Sequence, residues 1–316
     1  MRRVLTAICI LLSLRSMAQN QTIDVNRRAI ESARYWLDLD YVGDGIVGHK
    51  LDIHIPKIGK APFPVVICIY GSAWRSNSWK ANTFIEGPGQ ALLSKGFAVV
   101  SINYRSSADA PFPAQIQDVK AAIRYVRSNA RQFGLDDSFI SVTGWSSGGH
   151  LAAMAGTTNG TQKTNVNGLE VDIEGSLGKF TNASSHVNAV IDWFGPTDFL
   201  IMDSCGSTMP HNDAKSPESI LVGGPIQENK DKCALANPIN YIQKDNPPFL
   251  IFHGDKDPLV PLCQSEKLHE KQRAAGAKSE LVIVPGGGHG PGVLIDTYYS
   301  QMISFLEGQI KASHKK

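Results

Sequence analysis

Gly144-Trp145-Ser146-Ser147-Gly148 sets a serine between glycines placed two residues before and two after it. This G-x-S-x-G spacing suits a nucleophile elbow, where the chain turns sharply from strand to helix and holds the hydroxyl up at the helix N-terminus. Ser147 competes for the role, but only Ser146 has glycine at both positions. A serine hydroxyl is a poor nucleophile until a neighbouring base takes its proton. The candidate base is His289, on the glycine-rich turn Pro285-Gly286-Gly287-Gly288-His289-Gly290. A carboxylate to orient that base is expected in His253-Gly254-Asp255-Lys256-Asp257-Pro258. Asp257 lies further into the loop and is expected to reach His289, whereas Asp255 is expected to bond nearby backbone groups. A serine, a base and a carboxylate that orients the base together suit attack on an acyl carbon through a covalent intermediate.

Such an attack puts negative charge on the former carbonyl oxygen, and backbone N–H groups must be aimed at it. Tyr70-Gly71-Ser72-Ala73-Trp74 follows an apolar run and carries small residues that allow close backbone approach. The N–H groups of Ser72 and Ala73 are the expected donors, together with that of Ser147 beside the nucleophile. Trp74 and Trp145 lie in the same loops and are candidates to stack on a sugar or aromatic group, with plain core packing as their alternative.

These residues need a rigid frame. Short apolar, β-branched runs at 64–70, 97–102, 139–143, 188–194, 248–253 and 280–284 predict strands. Between them, Ile116, Val119, Ala122, Ile123 and Val126 recur at helical spacing over 115–129, and 297–310 reads as a closing helix. The alternation predicts an α/β fold, a mostly parallel sheet with helices on both faces. Residues 47–55 alternate like an antiparallel edge strand. Residues 159–186 and 196–247 read as long loops, the second being placed as a small loop-rich cap over the site.

The chain has 316 residues, 42% hydrophobic and 19% charged, with no linker or repeat to divide it, so residues 19–316 are read as one domain with the cap inserted. The formal charge of +2 is not gathered into a stripe, which argues against a nucleic-acid partner. Residues 1–18 read as a signal peptide: Arg2 and Arg3, the apolar run Val4 to Leu14, then Ser16-Met17-Ala18 as a small-residue exit. The apolar run is too short to span a bilayer of about 30 Å, and no later segment approaches that length, so no stable membrane insertion is expected. Export to the periplasm or extracellular space follows. Cys68, Cys205, Cys233 and Cys263 then remain, without metal-site spacing. Cys68 is expected in the core, and Cys205 with Cys233 is the expected disulfide, flanking a Pro/Gly-rich stretch in an oxidising compartment.

Together, the run Tyr70 to Trp74, Gly144 to His150, Trp193-Phe194-Gly195-Pro196-Thr197-Asp198, His253 to Asp257 and Gly287-Gly288-His289-Gly290 resemble bacterial α/β-hydrolase esterases of the feruloyl-esterase and acetyl-xylan-esterase-like group. The resemblance extends from about residue 35 to 310. It implies an α/β-hydrolase fold and carboxyl-ester hydrolysis without a metal or organic cofactor. Related esterases carry His-Gly-Gly-Gly or His-Gly-Gly-Ala at the oxyanion loop, and Tyr70 and Ser72 depart from that pattern. The polar 196–247 segment and the export signal point to short acyl or hydroxycinnamoyl esters on small molecules or oligosaccharides. Two rivals share the scaffold: a serine exopeptidase of the prolyl-oligopeptidase type and a non-catalytic binding protein.

Overall fold

The computed structural model describes residues 30–313, so the expected signal peptide lies outside the described residues. In chain order the strands are β1 (Ser32–Asp40), β2 (Lys50–Pro56), β3 (Phe63–Ile69), β4 (Ala98–Ile102), β5 (Leu135–Trp145), β6 (Lys163–Val166), β7 (Leu169–Asp172), β8 (Val190–Trp193), β9 (Phe249–Gly254) and β10 (Ser279–Val284). The helices are α1 (Asn82–Ile85), α2 (Gly89–Leu93), α3 (Ala114–Ser128), α4 (Ala130–Phe133), α5 (Ser147–Thr157), α6 (Pro217–Val222), α7 (Lys230–Leu235), α8 (Cys263–Ala274) and α9 (Asp296–Ser313).

Eight strands form one sheet in the order β1-β2-β4-β3-β5-β8-β9-β10. Pairing is antiparallel from β1 through β2 to β4 and parallel from there on. The central strands are nearly continuous apolar runs because both faces are covered. Val65 to Ile69 of β3 and all of β4 are buried. Helices α3 and α5 pack on each other and on the middle of the sheet, while α2 packs against α9. This arrangement carries the C-terminal ends of β5, β8, β9 and β10, and the loops that follow them, to one end of the molecule, where ligands bind in open parallel sheets.

Three expectations need correction. The 47–55 run becomes β2, but it is not the edge: β1 pairs outside it. Register shifts between Ser32 and Arg34 and between Trp36 and Leu39 break the two-residue alternation of β1, which hides it from a periodicity reading. Within 159–186, β6 and β7 form a hairpin around Asn167-Gly168, both with positive φ (53° and 86°), a turn that suits this pair of residues.

The third correction concerns the cap segment and its cysteines. Cys205 is bonded to Cys263, and Cys233 is a buried free thiol, as is Cys68. The Cys205–Cys233 pairing assumed that 196–247 had too little apolar content to hold itself. In fact Phe199, Met202, Leu221, Val222, Ile226, Cys233 and Ala236 all join the main core. Cys233 therefore packs inward. The chain around Cys205 runs instead beside the loop leading into α8, with the Thr208 N–H donating to the Pro258 carbonyl at 2.8 Å.

Candidate active site

Strand β5 ends at Trp145, and α5 begins at Ser147. Ser146 sits between them at φ 54° and ψ −126°, a strained conformation for a residue with a side chain. The flanking glycines allow it. A Cβ on Gly144 would lie 2.2 Å from the Gly148 carbonyl oxygen, and one on Gly148 would lie 2.1 Å from that of Ile69. Both glycines are thus required by close backbone approach.

Ser146 Oγ lies 2.9 Å from His289 Nε2, and His289 Nδ1 lies 2.7 Å from Asp257 Oδ2. A carboxylate can only accept, so the ring donates from Nδ1 and presents Nε2 as the acceptor for the serine hydroxyl. The Asp257 side chain is buried, and its Oδ1 accepts from the Leu259 and Val260 N–H groups, each at 2.9 Å. Asp255 is turned elsewhere: its Oδ1 accepts from the Gly286 N–H at 2.7 Å, on the turn that carries His289. The Lys256 N–H donates to the Gly287 carbonyl, which ties the same two loops. Phe194, at φ 45°, meets the His289 ring edge-on with centroids 4.7 Å apart.

Of the three expected oxyanion donors, the Ser72 N–H is already engaged, donating to Ser147 Oγ at 2.9 Å. The N–H groups of Ala73 and Ser147 meet no acceptor among the described residues. Both residues line a cavity of about 330 Å³ with Ser146 and His289. Ala73 and Trp74 are held at φ 51° and 55°, consecutive left-handed residues that turn the backbone toward this cavity. Beneath them the Tyr104 hydroxyl donates to the Tyr70 carbonyl and lies 3.1 Å from Ser72 Oγ and 3.3 Å from Ser147 Oγ. Burial raises the Tyr104 phenol to about 12, with the two serine contacts opposing, so it stays protonated.

The tryptophans divide. Trp74 lines the cavity but is buried, edge-on to His150 and Phe199. Trp145 does not line it. A Cβ on Gly87 would meet the Trp145 ring at 2.7 Å, so Trp145 fills the core beside that glycine and is withdrawn as a stacking surface. Two titratable groups support the elbow from below. Burial raises Asp192 to about 7, the Gly195 N–H opposing, and burial lowers His150 to about 4, the Ala236 carbonyl opposing. The sequence reading also missed His211 and Glu218 on the cavity wall, because no spacing ties the polar 196–247 segment to the triad loops. Among the described residues, no group of three or more His, Cys, Asp or Glu side chains is arranged to hold a metal ion.

The comparisons with known proteins agree with one another. Residues 51–272 match the BD-FAE family. The chain is 31% identical over 245 residues to Esterase LipQ of Mycobacterium tuberculosis, covering 76% of this chain and 53% of that protein. It spans about half the length of the curated relatives it matches. Among solved structures, a truncated form of a carbohydrate esterase from gut microbiota is 49% identical at a TM-score of 0.85, covering 89% of this chain and 98% of that one. A bifunctional GH43-CE protein of Bacteroides eggerthii is also 49% identical, at a TM-score of 0.82, with 87% of this chain matched to 38% of that one. With its mostly parallel eight-stranded sheet and its serine at the β5–α5 turn, the chain has the α/β-hydrolase fold and belongs to the BD-FAE family.

Proposed function

We propose that the protein is an exported serine carboxylesterase that cleaves short acyl or hydroxycinnamoyl esters carried on carbohydrate. The observation that carries this reading is the continuous hydrogen-bond series from Asp257 through His289 to Ser146, opening into a cavity with two N–H groups that meet no protein acceptor. In the reaction, His289 Nε2 takes the Ser146 proton as Oγ bonds to the ester carbonyl carbon. Asp257 holds the ring in the tautomer that can accept and stabilises the imidazolium. The Ala73 and Ser147 N–H groups donate to the oxyanion. As the tetrahedral intermediate collapses, the bond to the alcohol oxygen breaks and His289 returns the proton to it. A water then repeats the sequence on the acyl-enzyme, releasing the acid and restoring the Ser146 hydroxyl.

The cavity volume favours a small acyl group, since pockets for small ligands begin at about 300 Å³. Relatives named as carbohydrate esterases support a sugar as the alcohol, and the expected signal peptide supports export. Rates on chromogenic acetyl, butyryl and palmitoyl esters, a feruloyl ester and an aminoacyl anilide test the proposal. Acetyl and feruloyl esters are expected to be cleaved well, with a steep fall beyond about eight acyl carbons as the cavity ceases to supply the ~0.8 kcal/mol per buried CH₂. Faster cleavage of palmitoyl than acetyl esters, or of the anilide than any ester, contradicts it.

A further inference from the structure

The cavity that holds the Ser146 hydroxyl has a second ionisable pair in its wall, supplied by the 196–247 segment. His211 is 0% and Glu218 3% exposed, yet both line the cavity. Glu218 is the second residue of α6, whose start is fixed by Pro217 and by the Ser216 side chain accepting from the Ser219 N–H. His211 Nδ1 stands 3.0 Å from Glu218 Oε2, but outside good hydrogen-bond geometry, so neither atom is fully satisfied by the other. His211 Nε2 faces the Leu259 carbonyl at 2.9 Å and Ser207 Oγ at 2.9 Å. With Nε2 donating to that carbonyl, Nδ1 can face a carboxylate favourably only as N–H, which makes the ring a cation. Its proton affinity agrees: burial pulls it down, but Glu218, the Leu259 carbonyl and Asp203 raise it further. Among the described residues no hydrogen bond reaches the Glu218 carboxylate, and its Oε2 is buried.

A buried ion pair is costly to desolvate, and apolar residues of similar size often hold a fold as well or better. A carboxylate oxygen without a protein donor, at the wall of a reactive cavity, is a hydrogen-bond acceptor awaiting a donor from the ligand. The donor it suits is a neutral hydroxyl. A second carboxylate would be repelled, and an apolar acyl chain would leave the oxygen unsatisfied.

We infer that Glu218, oriented by His211, is a specificity residue that accepts a hydrogen bond from a hydroxyl group of the bound ester, which rests on the esterase reading of the same cavity. That hydroxyl can come from the ring of a hydroxycinnamoyl acyl group or from a sugar alcohol. Two matched pairs separate the sources: methyl ferulate against methyl dimethoxycinnamate, whose ring hydroxyl is methylated, and an acetylated methyl xyloside against tetrahydropyranyl acetate, which has no free hydroxyl.

The measurement is kcat/KM on all four esters for the wild type and for Glu218→Gln, which keeps the size of the side chain and removes its charge. The wild type should favour the hydroxyl-bearing member of at least one pair by roughly 10- to 100-fold. Glu218→Gln should narrow that ratio by about tenfold, and Glu218→Asp should recover part of it. The pair that responds identifies which half of the ester carries the hydroxyl. A role in holding the wall alone would lower both members equally, and that result overturns the inference. So does a wild type that favours neither hydroxyl, a reading that stands even if Glu218→Gln fails to fold. Failure of the wild type to cleave any of the four esters would instead remove the esterase reading beneath it.

Discussion

Asp255 and Asp257 are two residues apart, and their surroundings give them different work. Asp257 has one oxygen on His289 and the other on two backbone N–H groups, whereas Asp255 braces the turn that bears the histidine. Asp257→Asn is therefore expected to lower kcat by about 10³- to 10⁴-fold, because the amide favours the wrong imidazole tautomer. Asp255→Asn should cost about tenfold or less, since an amide oxygen can still accept from Gly286. The reverse ranking in steady-state kinetics would exchange their roles. Asp192 provides a test through stability. Burial raises its folded value to about 7, above the ordinary 3.8, so between these limits the unfolded chain binds fewer protons than the folded one. This group's contribution to stability is thus fully present below about 3.8 and is lost as pH rises through about 7. Asp192→Asn cannot ionise, so its Tm relative to wild type should rise between pH 5 and pH 8, by an amount of order 1–4 kcal/mol in stability. A difference that stays constant over that range would show that Asp192 does not titrate there.

The strands that lead into Ser146, Asp257 and His289 were the most legible part of the chain. Buried parallel strands read as unbroken apolar runs, and the glycines at 144 and 148 are dictated by a backbone approach that leaves no room for a Cβ. Ser146 and Asp257 could be ranked from sequence because each follows such a strand, and His289 because it follows the apolar run of β10, although that edge strand leaves Ile283 exposed. Elements stabilised by irregular or distant contacts were not legible. The bulges of β1 erase its period, the β6–β7 hairpin has strands of only four residues with Val166, Leu169 and Val171 as their apolar side chains, and the apolar residues of 196–247 are too scattered to reveal that they enter the core. That last feature also concealed the disulfide partner. Pairing of Cys205 with Cys263 closes a 58-residue separation and flanks the Asp257 loop. In the chain-entropy account such a crosslink contributes about 4 kcal/mol. Peptide mapping without reduction should recover the 205–263 crosslink with Cys233 as a free thiol. Cys205→Ser should lower Tm while Cys233→Ser leaves the crosslink intact. Recovery of a 205–233 crosslink would contradict the pairing.

Across the whole molecule, His289 stands between two recesses. One is the cavity with Ser146 and the Ala73 and Ser147 N–H groups; the other is a shallower groove formed by Lys256, Pro258, Leu259, Gly286 and Pro291. In the proposed reaction the leaving alcohol takes its proton from His289, which borders both recesses. In the proposed reaction the ester's acyl group passes through a covalent bond to Ser146 Oγ. Intact-mass spectrometry of the protein, quenched in acid during turnover of an activated ester and followed by peptide mapping, tests it most directly. One acyl group per chain on the Ser146 peptide, absent from Ser146→Ala together with nearly all hydrolysis, is the predicted result. Acylation of Ser147 or another residue instead, or undiminished hydrolysis by Ser146→Ala, would contradict it.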